Sequence, residues 1–131
     1  MDRSVLEACS HGSMAGTMRF PETIERLRAS GVQRYHTDLV SLRKSYYGTD
    51  DTAADVALPL TDPPVIADTF SSEAVNGALR EIQQGAILYP EFLRRIMAGG
   101  TVAYTVCLDS RKTLYVGRHG DHLVEPFPTP R

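Results

Sequence analysis

Residues 101–117 carry the reading that decides the fold. They run Thr101-Val102-Ala103-Tyr104-Thr105-Val106-Cys107-Leu108, then Asp109-Ser110-Arg111, then Lys112-Thr113-Leu114-Tyr115-Val116-Gly117. Val102, Tyr104, Val106 and Leu108 repeat with a period of two, which puts them on one face of a strand. Ala103, Thr105 and Cys107 take the other face. Asp109 to Arg111 is a short turn, and Thr113 to Gly117 is the return strand of a hairpin. A third strand is expected through Leu123-Val124-Glu125 to Phe127-Pro128.

Upstream of this hairpin the period changes to that of a helix. Ser71 or Ser72 caps a helix carrying Val75, Ala78, Leu79 and Ile82, and Gly85 ends it. Pro90 and Glu91 open a second helix with Phe92, Leu93, Ile96 and Met97 as its apolar stripe. Gly99-Gly100 closes it.

The same plan lies earlier in the chain, at one constant offset and with no gap. Phe20-Pro21-Glu22 falls on Tyr89-Pro90-Glu91, and Arg26, Ala29 and Gly31 fall on Arg95, Ala98 and Gly100. Tyr35 meets Tyr104, Tyr46 meets Tyr115, and Gly48 meets Gly117. The match implies an internal duplication, with units of about 4–61 and 73–130 joined through Asp62-Pro63-Pro64. The first unit then has helices from Ser4 to Gly16 and from Pro21 to Ala29. Its strands are Val32 to Leu39, Arg43 to Gly48 and a weak edge strand at Val56 to Pro59. Thr49 to Asp55 reads as a polar loop. Gly12 weakens the first helix by about 1 kcal/mol relative to alanine. The expected class is α+β: one antiparallel sheet with helices on one face, built from two pseudo-twofold-related ααββ(β) units.

Length and charge bound the function. The chain has 131 residues, 14 basic against 16 acidic side chains and a net charge of −2. Its size fits a single domain, residues 1–131. The charge balance argues against nucleic-acid binding through bulk phosphate attraction. No apolar run reaches membrane-spanning length, and no signal peptide is visible, so no membrane partner and a cytoplasmic location are expected. Cys9 and Cys107 are too few for a disulfide framework or a structural zinc site. Both are expected to be reduced and far apart.

Four groupings are candidates for chemistry. Tyr35, Tyr46, Tyr104 and Tyr115 form a repeated set that could line an aromatic cleft, or pack beneath the helices. His36 and Asp38 share a strand face with Arg34, and could be two legs of a metal site or a base with its orienting carboxylate. Arg118, His119, Asp121, His122 and Glu125 cluster near the end, where the competing reading is a solvated turn capped by Asp121. Cys107 could act as a nucleophile with His36, although a strand interior lacks the cationic setting that activates a thiol. Gly99-Gly100 ends a helix instead of opening one, so it is no phosphate loop. Tyr35, His36, Asp38, Tyr46, Tyr104, Tyr115 and Arg118 are the candidate ligand-binding residues. No metal or cofactor is expected.

Two strings carry a resemblance. One is Ala74-Val75, Leu79-Arg80-Glu81-Ile82-Gln83-Gln84-Gly85, Ile87 and Tyr89-Pro90-Glu91-Phe92. The other is Tyr115-Val116-Gly117-Arg118-His119-Gly120-Asp121 with Glu125-Pro126-Phe127-Pro128. Together they resemble the DUF1398 or YbcV-like family of small bacterial proteins, some labelled phage envelope protein. The resemblance runs from about Tyr35 to Pro128. It implies a bacterial origin, prophage-associated in places, and brings no catalytic residues.

The residues favour a non-enzymatic module that binds a protein or small ligand on the outer sheet face or between the halves. The alternative is a small metal-dependent or acid–base enzyme using His36 and Asp38, or His119, Asp121, His122 and Glu125. A homodimer is expected, because Ala103, Thr105 and Cys107 leave half of the outer face apolar while Arg34, His36 and Asp38 charge the other half.

Overall fold

The computed structural model describes residues 1–128. The last residues of the 73–130 unit, Thr129 and Pro130, lie outside the described residues. Ten elements follow in chain order: α1 (Arg3–Ala15), α2 (Phe20–Ala29), β1 (Val32–Asp38), β2 (Arg43–Gly48), β3 (Ala53–Ala57), α3 (Ser72–Gln83), α4 (Tyr89–Ala98), β4 (Thr101–Cys107), β5 (Lys112–Gly117) and β6 (His122–Pro126). The class is α+β. All six strands form one antiparallel sheet in the order β3-β2-β1-β4-β5-β6.

The bounds of α2, β1, β2 and β3 recur at one constant offset in α4, β4, β5 and β6. The strand order therefore reads the same from either edge. β1 and β4 pair at the centre, where His36 stands opposite Thr105.

Local signals explain the helix ends. Asp2 caps α1, its carboxylate accepting from the Ser4 amide at 2.9 Å. Ser71, at the corresponding place in the second half, caps α3 by accepting from the Ala74 amide at 3.1 Å. These bonds satisfy amides that have no partner inside a helix. Gly12 sits buried within α1, and α1 continues through it. A Cβ there would stand 2.9 Å from the Met18 Cβ, so glycine lets the chain after α1 close against the helix.

One element departs from the sequence expectation. The edge strand runs from Ala53 to Ala57, not from Val56 to Pro59. Asp55 is the reason. On β3 it faces Ser45 and Arg43, accepting from the Ser45 hydroxyl at 2.5 Å and from Arg43 Nε at 3.3 Å. A stretch that reads as a polar loop is recruited to the edge by these side chains and by the free ladder of β2.

The helices cover one face of the sheet. Leu6, Ile24, Leu27, Val75, Leu93 and Ile96 pack there on Tyr35, Tyr46, Tyr104, Val106 and Tyr115 in one core. Between the halves, residues 61–71 form a strap over the second half. Ala67 donates its amide to Met97 O at 3.2 Å, Ser71 donates to Gly99 O at 2.7 Å, and Phe70 packs on Gly117. No helix among the described residues is long and apolar enough to cross a membrane.

Candidate functional site

The sheet has two faces, and the candidate residues divide between them. Tyr35, Tyr46, Tyr104 and Tyr115 all point under the helices and are buried. Tyr35 and Tyr46 are cross-strand partners with ring centres 5.4 Å apart, and Tyr104 and Tyr115 repeat that pair at 5.4 Å. Their own rings fill the space where an aromatic cleft was the alternative reading. Burial raises the pKa of all four phenols, that of Tyr104 to about 12, so they stay protonated.

His36 and Asp38 face the opposite, uncovered side. His36 Nδ1 lies 2.9 Å from Thr105 Oγ1 and is not paired with Cys107, which stands opposite Arg34. Asp38 accepts from the Val40 and Ser41 amides at 2.9 and 3.0 Å, and so caps the β1–β2 turn. Arg118 and His119 hold the strap: Arg118 Nη2 donates to Ile66 O at 3.0 Å, and His119 Nε2 lies 3.2 Å from Asp68 Oδ1. Backbone bonds from Gly117 N to Asp121 O and from Gly120 N to Gly117 O close the turn that the sequence reading assigned to the Asp121 side chain. Among the described residues, no three His, Cys, Asp or Glu side chains gather where one metal ion could reach them. The two cysteines are free, Cys9 buried on α1 and Cys107 on the outer face.

The feature that sequence reasoning missed is Lys44. On β2 it follows the parity of Tyr46, and that parity faces the core. Its side chain is only 3 % exposed. The ammonium lies 5.4 Å from the ring centre of Tyr35 and 4.8 Å from that of Tyr89, the first residue of α4. These are cation–π distances. Among the described residues no carboxylate pairs with it. Burial lowers its pKa from 10.5 to about 8, and the Cys9 thiol opposes that only in part. A shift of this size corresponds to a desolvation cost of about 3 kcal/mol while the charge is kept.

The neighbours of Lys44 are polar in an unusual way. Across the ladder it faces Thr37, and Thr37 in turn faces Tyr104. The Thr37 hydroxyl is fully buried and, among the described residues, has no hydrogen-bond partner of good geometry. The Tyr104 phenol is near enough to feel its polarity, but pairs its own hydroxyl with that of Tyr89. Tyr89 is half-buried and leads back to the surface, beside Leu88, which is 59 % exposed. An amine, a buried hydroxyl and a phenol pair thus lie together, with Tyr89 nearest the surface. The signal was in the composition: of 14 basic residues only two are lysine, Lys44 and Lys112. In such a chain a lysine on a core-facing strand position stands out.

The outer face follows from the strand register. Its rows run Tyr47, Arg34, Cys107, Lys112; then Asp55, Ser45, His36, Thr105, Leu114, Val124; then Arg43, Asp38, Ala103, Val116, His122. The first half is charged and the second largely apolar. Val124 is 48 % exposed. Arg34 stacks on Tyr47 at 4.4 Å.

Known proteins place the chain without giving it an activity. Residues 7–125 match the family described as Protein of unknown function, DUF1398. The chain belongs to the DUF1398 family. Uncharacterized proteins Mb2035 of Mycobacterium bovis and Rv2012 of Mycobacterium tuberculosis are each 32% identical to it over 109 residues, covering 82% of this chain. The alignment covers 66% of those relatives' length.

Proposed function

We propose that this DUF1398 chain is a protein-binding module whose open sheet face receives a second copy of itself. One observation carries the reading: among the described residues, helices cover the six strands on one side only, and half of the other side is apolar. An antiparallel sheet tolerates a wet face when that face alternates to polar residues. Ala103, Leu114, Val116 and Val124 break that rule.

The geometry favours a twofold contact. Six strands spaced by about 4.8 Å, each presenting about 17 Å of length, give a flat face of roughly 500 Å² per copy. Two such faces approach the lower limit of about 1,200 Å² for a stable interface once side-chain relief is added. Laying apolar half on apolar half buries Leu114, Val116 and Val124 against their counterparts. The Arg43–Asp55 pair is left toward the rim, the arrangement that interfaces favour. The recurrence of element bounds at a constant offset supports reading the halves as copies of one ancestral unit. Two free thiols support a reducing, cytoplasmic setting.

Sedimentation tests the proposal. At micromolar concentration the wild type should run at twice 14.4 kDa. Leu114→Arg with Val124→Arg should give a folded monomer. A wild type that already sediments as 14.4 kDa overturns the proposal.

A further inference from the structure

We propose that Lys44 is a reactive-amine site that captures a small uncharged aldehyde as an imine, entered when the Tyr89 ring swings aside. This site lies on the helix side of the sheet and does not depend on how the outer face is used.

Three observations converge on it. First, the architecture does not require a charge there. The corresponding position of the second half, at the same place in β5, is the buried Thr113. Second, the Thr37 hydroxyl beside Lys44 is fully buried and, among the described residues, has the Tyr104 phenol near it but no partner of good geometry, although buried hydroxyls are normally satisfied. A ligand oxygen would give it one. Third, the two rings over the ammonium differ. Tyr35 is buried, whereas Tyr89 is half-buried at the start of α4, after the exposed residues 83–86 and Leu88. Tyr89 is therefore the side chain whose rotation opens Lys44 to solvent.

The lining selects the ligand class. The Tyr35 and Tyr89 rings lie over the amine, and Cys9 is the other titratable group near enough to act on it. Once Lys44 reacts as the uncharged amine, no second cation among the described residues acts on the site to hold a carboxylate or phosphate. A small neutral carbonyl compound fits such a wall. Lys44 then supplies the nucleophile. With its pKa near 8, about a quarter of it is the free amine at pH 7.5, against about one part in a thousand for an ordinary lysine.

The step balances without another reactant. The nitrogen lone pair forms an N–C bond to the carbonyl carbon, and the carbonyl oxygen takes up a proton to give a carbinolamine. Loss of water then breaks the C–O bond and leaves the imine. Both amine protons end in that water. The Tyr104 phenol, kept protonated by burial, is the proton donor for the oxygen.

The test uses propanal as the probe, with cyanoborohydride to reduce any imine to a stable secondary amine, read by peptide mass spectrometry. Exposed Lys112 is the internal control. In the native protein at pH 7.5, Lys44 should be modified at least about tenfold faster than Lys112, with a rate that saturates in propanal. Tyr89→Ala, shown folded by circular dichroism, should raise the Lys44 rate further. Lys44→Met should remove the saturable modification and leave only that of Lys112 and of the chain's α-amino group. Modification of Lys44 slower than that of Lys112 overturns the proposal. So does a rate linear in propanal that rises with sub-denaturing urea, because that marks reaction through unfolding.

Discussion

Lys44 and Thr113 stand at the same place in the two halves of the sheet, and both are buried. The halves share their frame. Tyr35 and Tyr46 recur as Tyr104 and Tyr115, with the same 5.4 Å ring spacing. They differ in what fills the frame. The first half places Lys44, Thr37 and Cys9 where the second has Thr113, Val106 and Ala78. On the outer face the difference has a second form, with Arg34, His36 and Asp38 against Cys107, Thr105 and Ala103. The shared residues explain the fold. The unshared ones are where function is to be sought, because the frame stands without them.

The largest expected effect concerns how the halves are held at their ends. Gly31 and Gly100 both follow a helix with positive φ, 86° and 93°. A Cβ on Gly31 would meet nothing within 4 Å, whereas one on Gly100 would run into the Thr69 carbonyl and stand 2.8 Å from the Phe70 Cα. Gly31→Ala should therefore cost only the backbone strain, about 1–2 kcal/mol. Gly100→Ala adds displacement of the strap and should cost about 3 kcal/mol or more. Urea unfolding of both variants measures the gap. Equal losses would mean that the strap adds nothing to the second half.

Next in size is the exchange that removes the difference in buried charge between the halves. Lys44→Met keeps an unbranched side chain one atom shorter and removes the buried charge. It should stabilise the protein by about 2 kcal/mol at pH 7, since an apolar group of similar volume avoids the desolvation cost. A loss of stability would show that the cation–π contacts outweigh that cost, and the core of the first half would then need its lysine.

The sequence makes the shared features legible and hides the unshared one. The strand from Arg43 to Gly48 is bounded by turns and alternates around Tyr46, so its limits are readable. The α2 and α4 helices announce themselves through Pro21 and Pro90 in their first turns. The β3 strand is obscured because its pairing depends on Asp55 reaching Ser45 and Arg43 across the ladder, a contact between distant positions in the chain. Lys44 is obscured because a lysine beside Arg43 reads as solvent-facing. Only its parity with Tyr46 places it inside. The tyrosines are visible as a repeated set, and their packing together follows from that same parity.

The smallest expected effect is a pH dependence that one half has and the other lacks. In the folded protein Lys44 has its pKa lowered to about 8, against 10.5 for the unfolded chain. Between those values the unfolded state binds more protons than the folded state, so stability rises with pH. The groups facing the amine oppose this only weakly below pH 9. Thr37 carries no charge. Burial raises the Cys9 thiol above its ordinary value of 9.0, and the Tyr35, Tyr46, Tyr89 and Tyr104 phenols above 10. Those raised values act in the reverse direction. Their unfolded counterparts lose protons first, so the thiol begins to offset the gain as pH nears 9 and the phenols do so above 10. The net rise attributable to Lys44 from pH 7 to pH 9 is about 1 kcal/mol. Urea titrations at both pH values should show it in the wild type. Lys44→Met should abolish it, and Thr113→Val, which changes the corresponding site without touching an ionisable group, should leave it intact. A rise that survives in Lys44→Met would place the titrating group elsewhere and remove the lysine as the source of the difference between the halves.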